Sequence, residues 1–290
     1  MKQTVVKKIT PYMFILPFFL IFCIFLVYPI FESFYLSFTA AEGSTSSWVG
    51  LDNFRQIFSD ALFWKSMLNT VIILLVQVPV MLFLAFLLAV AVNNKNIKGR
   101  SIFRLAIFMP VLIDLVTYSI VFSIIFNDQY GVLNYILLML HLPGIHWIQN
   151  PIWAKVTIII AITWRWTGYN AIILLAGLQS IPDSIYEAAD IDGVSGVKKF
   201  FLITMPMLKP IFLFCAIMSI IGTLQLFTEP FLLTNGGQPD NATETPVLFI
   251  YQYAFQSFHF GYASAAAYVL TAIVAILSYL QICVSKGGEI

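Results

Sequence analysis

Six long apolar stretches with very few charges dominate this sequence, at residues 12–38, 70–92, 105–126, 156–178, 207–231 and 262–284. Each stretch reaches the length of about 20 residues that a helix needs to cross the hydrocarbon core of a bilayer. Backbone groups in lipid must pair within their own segment, and apolar runs without polar alternation indicate helices rather than barrel strands. The sequence therefore predicts an all-α membrane protein with six transmembrane helices in a single domain, residues 1–290.

The composition agrees with lipid as the solvent of this chain. Of its 290 residues, 60% are hydrophobic and only 10% are charged, whereas soluble domains carry about 25% charged residues. A net charge of +1 argues against a nucleic-acid partner. The cysteines and histidines show neither CxxC nor HExxH spacing, so no metal site is expected.

Lysine and arginine cluster on one side of the predicted spans. That side carries Lys2, Lys7, Lys8, Lys95, Lys98, Arg100, Arg104, Lys198, Lys199, Lys209 and Lys286. The opposite side carries Arg55, Lys65 and Lys155. Because cytoplasmic loops hold the excess of basic residues in membrane proteins, both termini are predicted to be cytoplasmic.

Ionisable and amide side chains inside apolar spans are costly, so each one calls for an explanation. Arg165 lies well inside the fourth span, beside Trp164, with Tyr169 and Asn170 one turn further on. An arginine among aromatic rings is suited to line a wet cavity, but it can also pair with a carboxylate where two helices meet. Asp114, which lies some turns inside the third span, is expected either to pack against another helix or to serve function.

The fifth span carries a polar stripe, at Ser219, Thr223, Gln225, Thr228 and Glu229. The spacing of four or five residues places several of these side chains near one helical face. Such a stripe either bonds to neighbouring helices or faces a path across the membrane. Glu229 lies near the outer end of the span, where solvation at the membrane interface is the alternative interpretation.

The connection over residues 179–210 is predicted to contain two short helices. Ser184 begins a capping-box pattern that would start the first helix, and Gly193 is a natural stop for it. The second helix is expected to begin at Gly196 and to be ended by Pro206. Two capped helices in one connection indicate a surface that meets a partner.

This connection also carries a family resemblance. Glu187-Ala188-Ala189, followed by Gly193 and then by Ile203-Thr204-Met205-Pro206, resembles the EAA loop of ABC importer permeases. The likeness covers most of the chain and is greatest to the first permease subunit of sugar and glycerol-3-phosphate importers. It implies the type I importer permease fold, with residues 179–210 as the cytoplasmic coupling loop. The implied ATPase-coupling residues are Glu187, Ala188, Ala189, Asp192, Gly193 and Pro206.

The resemblance also implies partners and a location. A permease of this type works with a second, different permease subunit, two ABC ATPase subunits and an extracytoplasmic sugar-binding protein, in a bacterial or archaeal cell membrane. ATP and magnesium are expected on the ATPases, since this chain has no GxxxxGK[ST] phosphate loop; the chain itself is expected to be a transport subunit without a cofactor, not an enzyme. The expected substrate path comprises Trp164, Arg165, Tyr169, Asn170, Ser219, Thr223, Gln225 and Glu229.

Several substrates and one other transport class stay open. A glycerol-3-phosphate permease needs several cations at its cavity to bind the phosphate group. Arg165 is the only cation among the expected substrate-path residues, so a neutral or weakly charged oligosaccharide is favoured, and an acidic one remains an alternative. An ion-coupled secondary transporter would show an inverted repeat and several intramembrane carboxylates. A membrane-embedded enzyme would show paired catalytic groups within its spans, and the sequence has neither pattern.

Overall fold

The computed structural model describes residues 2–42, 45–94 and 97–286, and most of them are helical. The α-helices are, in chain order, α1 Lys2–Phe22, α2 Tyr28–Leu36, α3 Asp52–Ser59, α4 Ala61–Asn93, α5 Arg100–Leu112, α6 Leu115–Ile125, α7 Val132–Met139, α8 Pro151–Ser180, α9 Asp183–Ile191, α10 Gly196–Lys199, α11 Met205–Leu224, α12 Thr228–Leu233, α13 Pro246–Tyr251 and α14 Phe260–Lys286. π-Helical segments within the described residues lie at Cys23–Val27, Phe200–Thr204 and Gln252–Gln256. Lys95, one of the basic residues behind the predicted orientation, lies outside the described residues.

A small hairpin qualifies the prediction of an all-α protein. Strands β1 Thr39–Glu42 and β2 Thr45–Trp48 pair antiparallel, with Thr39 opposite Trp48. The hairpin directly follows the first long apolar helix and is rich in Thr and Ser rather than in long apolar side chains. The protein is therefore mostly helical, with one two-stranded exception in its described part.

Long apolar helices account for the predicted spans. In the described chain, the stretches that are long and apolar enough to cross a membrane are Tyr12–Leu36, Ala61–Asn93, Pro151–Ser180, Gly196–Leu224 and Phe260–Gln281. A sixth is present if α5 and α6, which meet at a bend of 94°, form one broken span. The chain thus has five or six candidate spans, near the positions that the apolar runs indicate.

The third predicted span is wrong as a single helix over residues 105–126. Ile113 and Asp114 have extended backbone, with ψ of 135° and 143°, so α5 stops at Leu112. The Asp114 carboxylate then accepts the backbone N–H groups of Val116 at 3.0 Å and Thr117 at 3.1 Å. Because an aspartate in this position satisfies two of the free donors at a helix start, it begins α6 in a new direction.

The fifth predicted span also needs correction at both ends. It was expected to run to residue 231, but α11 ends at Leu224, and α12 is a separate helix after a short irregular segment. At the other end Pro206 does not end a helix, because helical structure continues from Gly196 to Leu224. The Met205 N–H donates to the carbonyl of Phe200, five residues back; this π-turn shifts the bonding pattern where proline lacks an N–H.

The described chain forms two compact units, one of residues 2–42, 45–60 and 250–272 and one of residues 61–94, 97–249 and 273–286. In the first unit, buried Asn53 on α3 donates to the carbonyls of Ser37 at 2.9 Å and Thr39 at 2.8 Å, which fixes α3 on the hairpin. That the chain is a single domain stays a prediction.

The second unit is built on α4 and α8, which pack along most of their lengths. Small side chains, among them Ala85, Ala89 and Ala171, are fully buried between these helices. Small residues let helix backbones approach closely in a membrane, where packing rather than water exclusion drives helix association. Gly168 allows the closest approach, because a Cβ atom there would lie 1.5 Å from the carbonyl oxygen of Ile107 on α5.

Candidate functional site

A cavity of about 360 Å³ lies within the second unit, between α4, α8 and α11. Its polar lining comes from amide and hydroxyl side chains: Gln77, Tyr169, Asn170, Ser219, Thr223 and Gln225. The remaining lining is apolar or aromatic and includes Met81 and Trp166. A volume of this size is at the lower end of the range for small-molecule sites.

Two amides in the cavity share a weak acceptor. The Gln77 side chain donates to the thioether sulfur of Met81 at 3.2 Å, and Asn170 Nδ2 lies 3.6 Å from the same sulfur. Asn170 also donates to the carbonyl of Trp166 at 3.0 Å. Both amides are almost fully buried, yet a thioether is a poor partner for an N–H donor.

One hydroxyl group of α11 connects an amide of α4 to that helix. The Thr223 hydroxyl lies 3.2 Å from Gln77 Oε1 and 2.8 Å from the backbone carbonyl of Ser219 on its own helix. The contact with Gln77 joins α4 and α11 across the cavity. Polar groups that bond across helices in this way are the interhelical contacts expected of buried polar residues in membranes.

Aromatic rings form another part of the cavity wall. Trp166 and Tyr169 meet edge to face, with ring centroids 5.7 Å apart at 84°, and both rings are partly exposed. Phe108 on α5 stacks on Tyr169 with a centroid distance of 6.4 Å. The cavity therefore combines hydrogen-bonding side chains with flat apolar surface and with rings held in place by their neighbours.

The structure brings together five of the eight residues expected on the substrate path. Tyr169, Asn170, Ser219, Thr223 and Gln225 line the cavity. The other three, Trp164, Arg165 and Glu229, do not line it. Trp164 instead packs on Phe122 of α6, with ring centroids 5.2 Å apart.

Arg165 bonds to backbone carbonyls at the end of α5. Its Nη1 donates to the Ile113 carbonyl at 2.6 Å, and its Nη2 donates to the Val111 carbonyl at 3.3 Å. The guanidinium also lies 4.8 Å from the centre of the Tyr118 ring. With an exposure of only 6%, Arg165 satisfies the free acceptors and the negative dipole end of a broken helix. This arrangement is neither the cavity lining nor the carboxylate pair that the sequence suggested.

Glu229 on α12 is buried rather than solvated at an interface. Its side chain accepts a hydrogen bond from the hydroxyl of Tyr118 on α6, and both residues are almost inaccessible. The guanidinium carbon of Arg165 lies 4.8 Å from the centre of the same Tyr118 ring. These three side chains therefore connect α8, α6 and α12 in the interior of the unit.

The expected coupling segment forms a well-defined turn after α9. Gly193 has a φ of +70°; its N–H donates to the Asp190 carbonyl at 3.1 Å, and the Val194 N–H donates to the Ala189 carbonyl at 2.9 Å. This pair of bonds is the Schellman motif, which requires a left-handed residue at the helix end. Gly193 thus stops α9 as predicted, although α9 begins after Pro182, so that Ser184 lies in its first turn rather than at its N-cap.

One face of α9 is exposed, and the other forms side-chain contacts with the helical segment that follows it. Glu187 and Ala188 are exposed, whereas Ala189 is buried. The Tyr186 hydroxyl lies 2.9 Å from that of Thr204, and Asp190 forms an ion pair with Lys199. Of the other expected coupling residues, Asp192 and Gly193 are exposed at the turn, and Pro206 is exposed in the first turn of α11.

Sequence reasoning missed Gln77, Met81 and Trp166 of the cavity, and Tyr118 beside Glu229. Gln77 had a usable signal, because it is a lone amide deep inside an apolar run. Met81, Trp166 and Tyr118 had none, since such residues are common in apolar helices. Among the described residues, no group of three or more His, Cys, Asp or Glu side chains is placed to hold a metal ion.

Comparisons with known proteins place this geometry in a family. Residues 62–284 match the family described as binding-protein-dependent transport system inner membrane component. The chain is 44% identical to a lactose transport system permease protein of Rhizobium radiobacter, over 94% of this chain and 93% of that one. It is 35% identical to an arabinooligosaccharides transport system permease protein of Bacillus subtilis, over 96% and 89% of the two chains.

A solved structure has the same fold. A chain of a bacterial ABC transporter involved in the import of the acidic polysaccharide alginate superposes with a TM-score of 0.85, covering 98% of both chains at 22% identity. The family match extends from the start of α4 almost to the end of α14, and so includes the cavity and the α9 turn. The chain belongs to the family of inner membrane components of binding-protein-dependent transport systems.

Proposed function

We propose that this chain is the sugar-permease subunit of an ABC importer and forms half of a path for an oligosaccharide. The observation that carries the proposal is the cavity between three membrane-length helices, lined by amides, hydroxyls and two aromatic rings. Sugars offer hydroxyl groups that both donate and accept hydrogen bonds, together with apolar ring faces. Two relatives are named as transport permeases for lactose and for arabinooligosaccharides, and these names support the same class of substrate for this chain.

In the membrane, we infer six spans with both termini in the cytoplasm. The bent pair of α5 and α6 supplies the sixth span. Such a break is tolerated in a membrane where side chains satisfy the freed backbone groups, as Arg165 and Asp114 do here. The excess of Lys and Arg on one side supports the orientation. The protein would then be a multi-pass component of a bacterial cell membrane, with residues 179–210 on the cytoplasmic side.

Coupling to ATP is assigned to the exposed face of α9. Glu187 and Ala188 lie on that face, and the isoleucine at its end, Ile191, has an exposure of 87%. A large exposed aliphatic side chain next to small residues suits a groove on a partner. Two ATPase subunits, which hold ATP and magnesium, would each receive such a loop, one from this chain and one from a second, different permease.

Transport would follow from a shift between two conformations of the assembled complex. ATP binding brings the ATPases together, and the short, capped α9 transmits that movement to α11 through the continuous helix that starts at Gly196. An extracytoplasmic binding protein delivers the sugar. Since a ligand shifts an equilibrium only by its difference in affinity for the two states, the cavity must hold the sugar in one state better than in the other.

The first experiment is ATP-dependent uptake of labelled oligosaccharides by proteoliposomes. They contain this chain, the permease and ATPases of the same importer, and the binding protein outside. Uptake that requires every component and internal ATP is the expected result. Uptake by this chain alone, without ATP, would instead identify a secondary transporter and overturn the proposal.

Variants of the cavity connect the transport to this site. Tyr169→Ala removes an exposed ring, and Ser219→Leu replaces a hydroxyl with a bulky apolar group on the path. Either change is expected to reduce the sugar uptake rate by about tenfold, equivalent to 1.4 kcal/mol. Ile160→Leu, a swap of similar volume on α8 at an exposed position outside the cavity lining, is the matched control and should keep the uptake rate. Unchanged kinetics in both test variants would exclude this cavity from the path.

A further inference from the structure

The charge of the cavity carries a more specific conclusion about the substrate. Of the residues that line it, all within the described chain, none is Asp, Glu, Lys, Arg or His. We infer that this half of the path is built for an uncharged oligosaccharide and selects against uronic acids and sugar phosphates. The inference rests on the proposed function and concerns the same cavity.

Of the two cations of α8, Lys155 and Arg165, the one next to a residue that lines the cavity is Arg165, and it is committed elsewhere. Two of its nitrogens donate to the carbonyls of Val111 and Ile113, and its guanidinium carbon lies 4.8 Å from the centre of the Tyr118 ring. Glu229, the other charged side chain beside Tyr118, is an acid and accepts a hydrogen bond from the Tyr118 hydroxyl. To meet a carboxylate in the cavity, Arg165 would have to leave both carbonyls unsatisfied in the interior.

The cavity also fails to offer what an anion needs in place of water. Carboxylate and phosphate groups leave water readily only where cationic or several converging N–H donors replace it. Here the side-chain donors of the lining are uncharged: the amides of Gln77, Asn170 and Gln225 and the hydroxyls of Tyr169, Ser219 and Thr223. The exposed faces of Trp166 and Tyr169 carry partial negative charge and repel an anion.

The same groups match a neutral hydroxyl well. Gln77 and Asn170 both direct N–H groups towards the sulfur of Met81, an acceptor that a sugar hydroxyl oxygen would replace with a stronger one. Each amide also carries a carbonyl oxygen that accepts the hydroxyl proton in return. A hydroxyl group uses both functions of the amide, whereas a carboxylate only accepts.

A matched pair of sugars tests the inference on the complete importer. Proteoliposomes loaded with ATP are given a short neutral oligosaccharide, or the same oligosaccharide with one hexose oxidised to hexuronic acid, with the binding protein outside. We expect uptake of the neutral sugar, with the uronate at least about tenfold slower. Uptake of the uronate at a rate similar to or higher than that of the neutral sugar would overturn the inference and leave the importer function intact, whereas no ATP-dependent uptake of either sugar would overturn both.

A second variant separates this cavity from selection by the binding protein. Asn170→Leu is close in shape and removes the amide, so uptake of the neutral sugar should fall by about tenfold. ATP hydrolysis stimulated by the binding protein should persist, because α9 is untouched. Ile160→Leu, a change of similar volume on the exposed face of α8 and outside the cavity lining, is the control. If Asn170→Leu transports like Ile160→Leu, the amide does not contact the sugar and the inference is wrong.

Discussion

The guanidinium of Arg165 donates a 2.6 Å hydrogen bond to the backbone carbonyl of Ile113, at the break between α5 and α6. A broken helix leaves carbonyls without partners on one side and N–H groups without partners on the other. Arg165 satisfies the carbonyl side, and Asp114 satisfies the N–H side. Backbone groups on both sides of the 94° bend therefore have side-chain partners, one from α8 and one from the bend itself.

Replacing Arg165 with methionine should destabilise the complex. Met keeps much of the side-chain volume, but it leaves the partly buried carbonyls of Ile113 and Val111 without this donor. The cost of an unsatisfied buried group is about 1–3 kcal/mol, and partial burial places these carbonyls at the lower end of that range. We expect a lower melting temperature of the purified complex in detergent, measured by tryptophan fluorescence.

Two further variants make the result specific. Arg165→Lys keeps the charge but reaches only one acceptor at a time, so its melting temperature should lie between those of the wild type and Arg165→Met. Lys209→Met removes an exposed charge from α11 and should leave the melting temperature unchanged. Equal melting temperatures for Arg165→Met and Lys209→Met would show that the capping bonds add nothing to stability.

The bond between Tyr118 and Glu229 predicts coupled mutations. Tyr118→Phe deletes the hydroxyl and leaves a buried carboxylate without its donor, which costs about 1–3 kcal/mol. Glu229→Gln keeps an acceptor and removes the charge, so Tyr118→Phe should be less harmful in that background. A double-mutant cycle on the free energy of unfolding is expected to give a coupling energy of about 0.5–3 kcal/mol. Strict additivity of the two changes would mean that the two side chains do not interact in the assembled complex.

The sequence was informative wherever a local pattern decides the structure. Apolar runs of sufficient length located the spans, because only length and hydropathy matter for that property. Helical periodicity correctly grouped Ser219 and Thr223 on one face, and both line the cavity with Tyr169 and Asn170. Gly193 ended α9 as predicted, because few residues other than glycine readily adopt its positive φ.

The same reasoning failed where distant backbone decides a side chain's role. The sequence predicts that Arg165 pairs with a carboxylate or lines a cavity. Its partners are main-chain carbonyls, which have no signature in a sequence. The break at Asp114 lies inside an apolar run, and its aspartate looked like a buried charge rather than a helix cap. Gln77 joins the cavity only because α4 packs against α8, a long-range contact that periodicity within one helix does not reveal.

Gly168 should be intolerant of any side chain. A Cβ atom there would lie 1.5 Å from the Ile107 carbonyl oxygen, and backbone cannot move aside as a flexible side chain would. Gly168→Ala is expected to lower the free energy of unfolding by about 3 kcal/mol, at the upper end of the cost of overpacking, or to prevent assembly of the complex. The measurement is the yield and melting temperature of the purified complex.

Gly222 is the matched control for that change. It also lies in a membrane-length helix, but a Cβ atom there meets no atom within 4 Å. Gly222→Ala should therefore keep the melting temperature or raise it slightly, since alanine favours a helix over glycine by about 0.5–1 kcal/mol. If both variants lost stability equally, glycine flexibility rather than close approach would explain Gly168.

The turn at Gly193 leads to a prediction about coupling. A valine there must adopt a φ of +70°, which costs a residue with a Cβ atom about 1–2 kcal/mol. The space around Gly193 is open, so the fold should survive while the end of α9 changes direction. Gly193→Val is expected to lower ATP-driven sugar uptake severalfold with little change in melting temperature, as measured in the reconstituted importer.

Two substitutions distinguish backbone strain from added bulk at this turn. Asparagine adopts the left-handed conformation more easily than other residues with a side chain, so Gly193→Asn should retain most of the uptake. Gly196→Ala adds a methyl group three residues further on, where the space is also open and φ is not positive. It should leave the uptake rate unchanged. Full uptake by Gly193→Val would mean that the importer does not depend on the direction in which this turn sends the chain, and residues 179–210 would lose their assignment as the coupling loop.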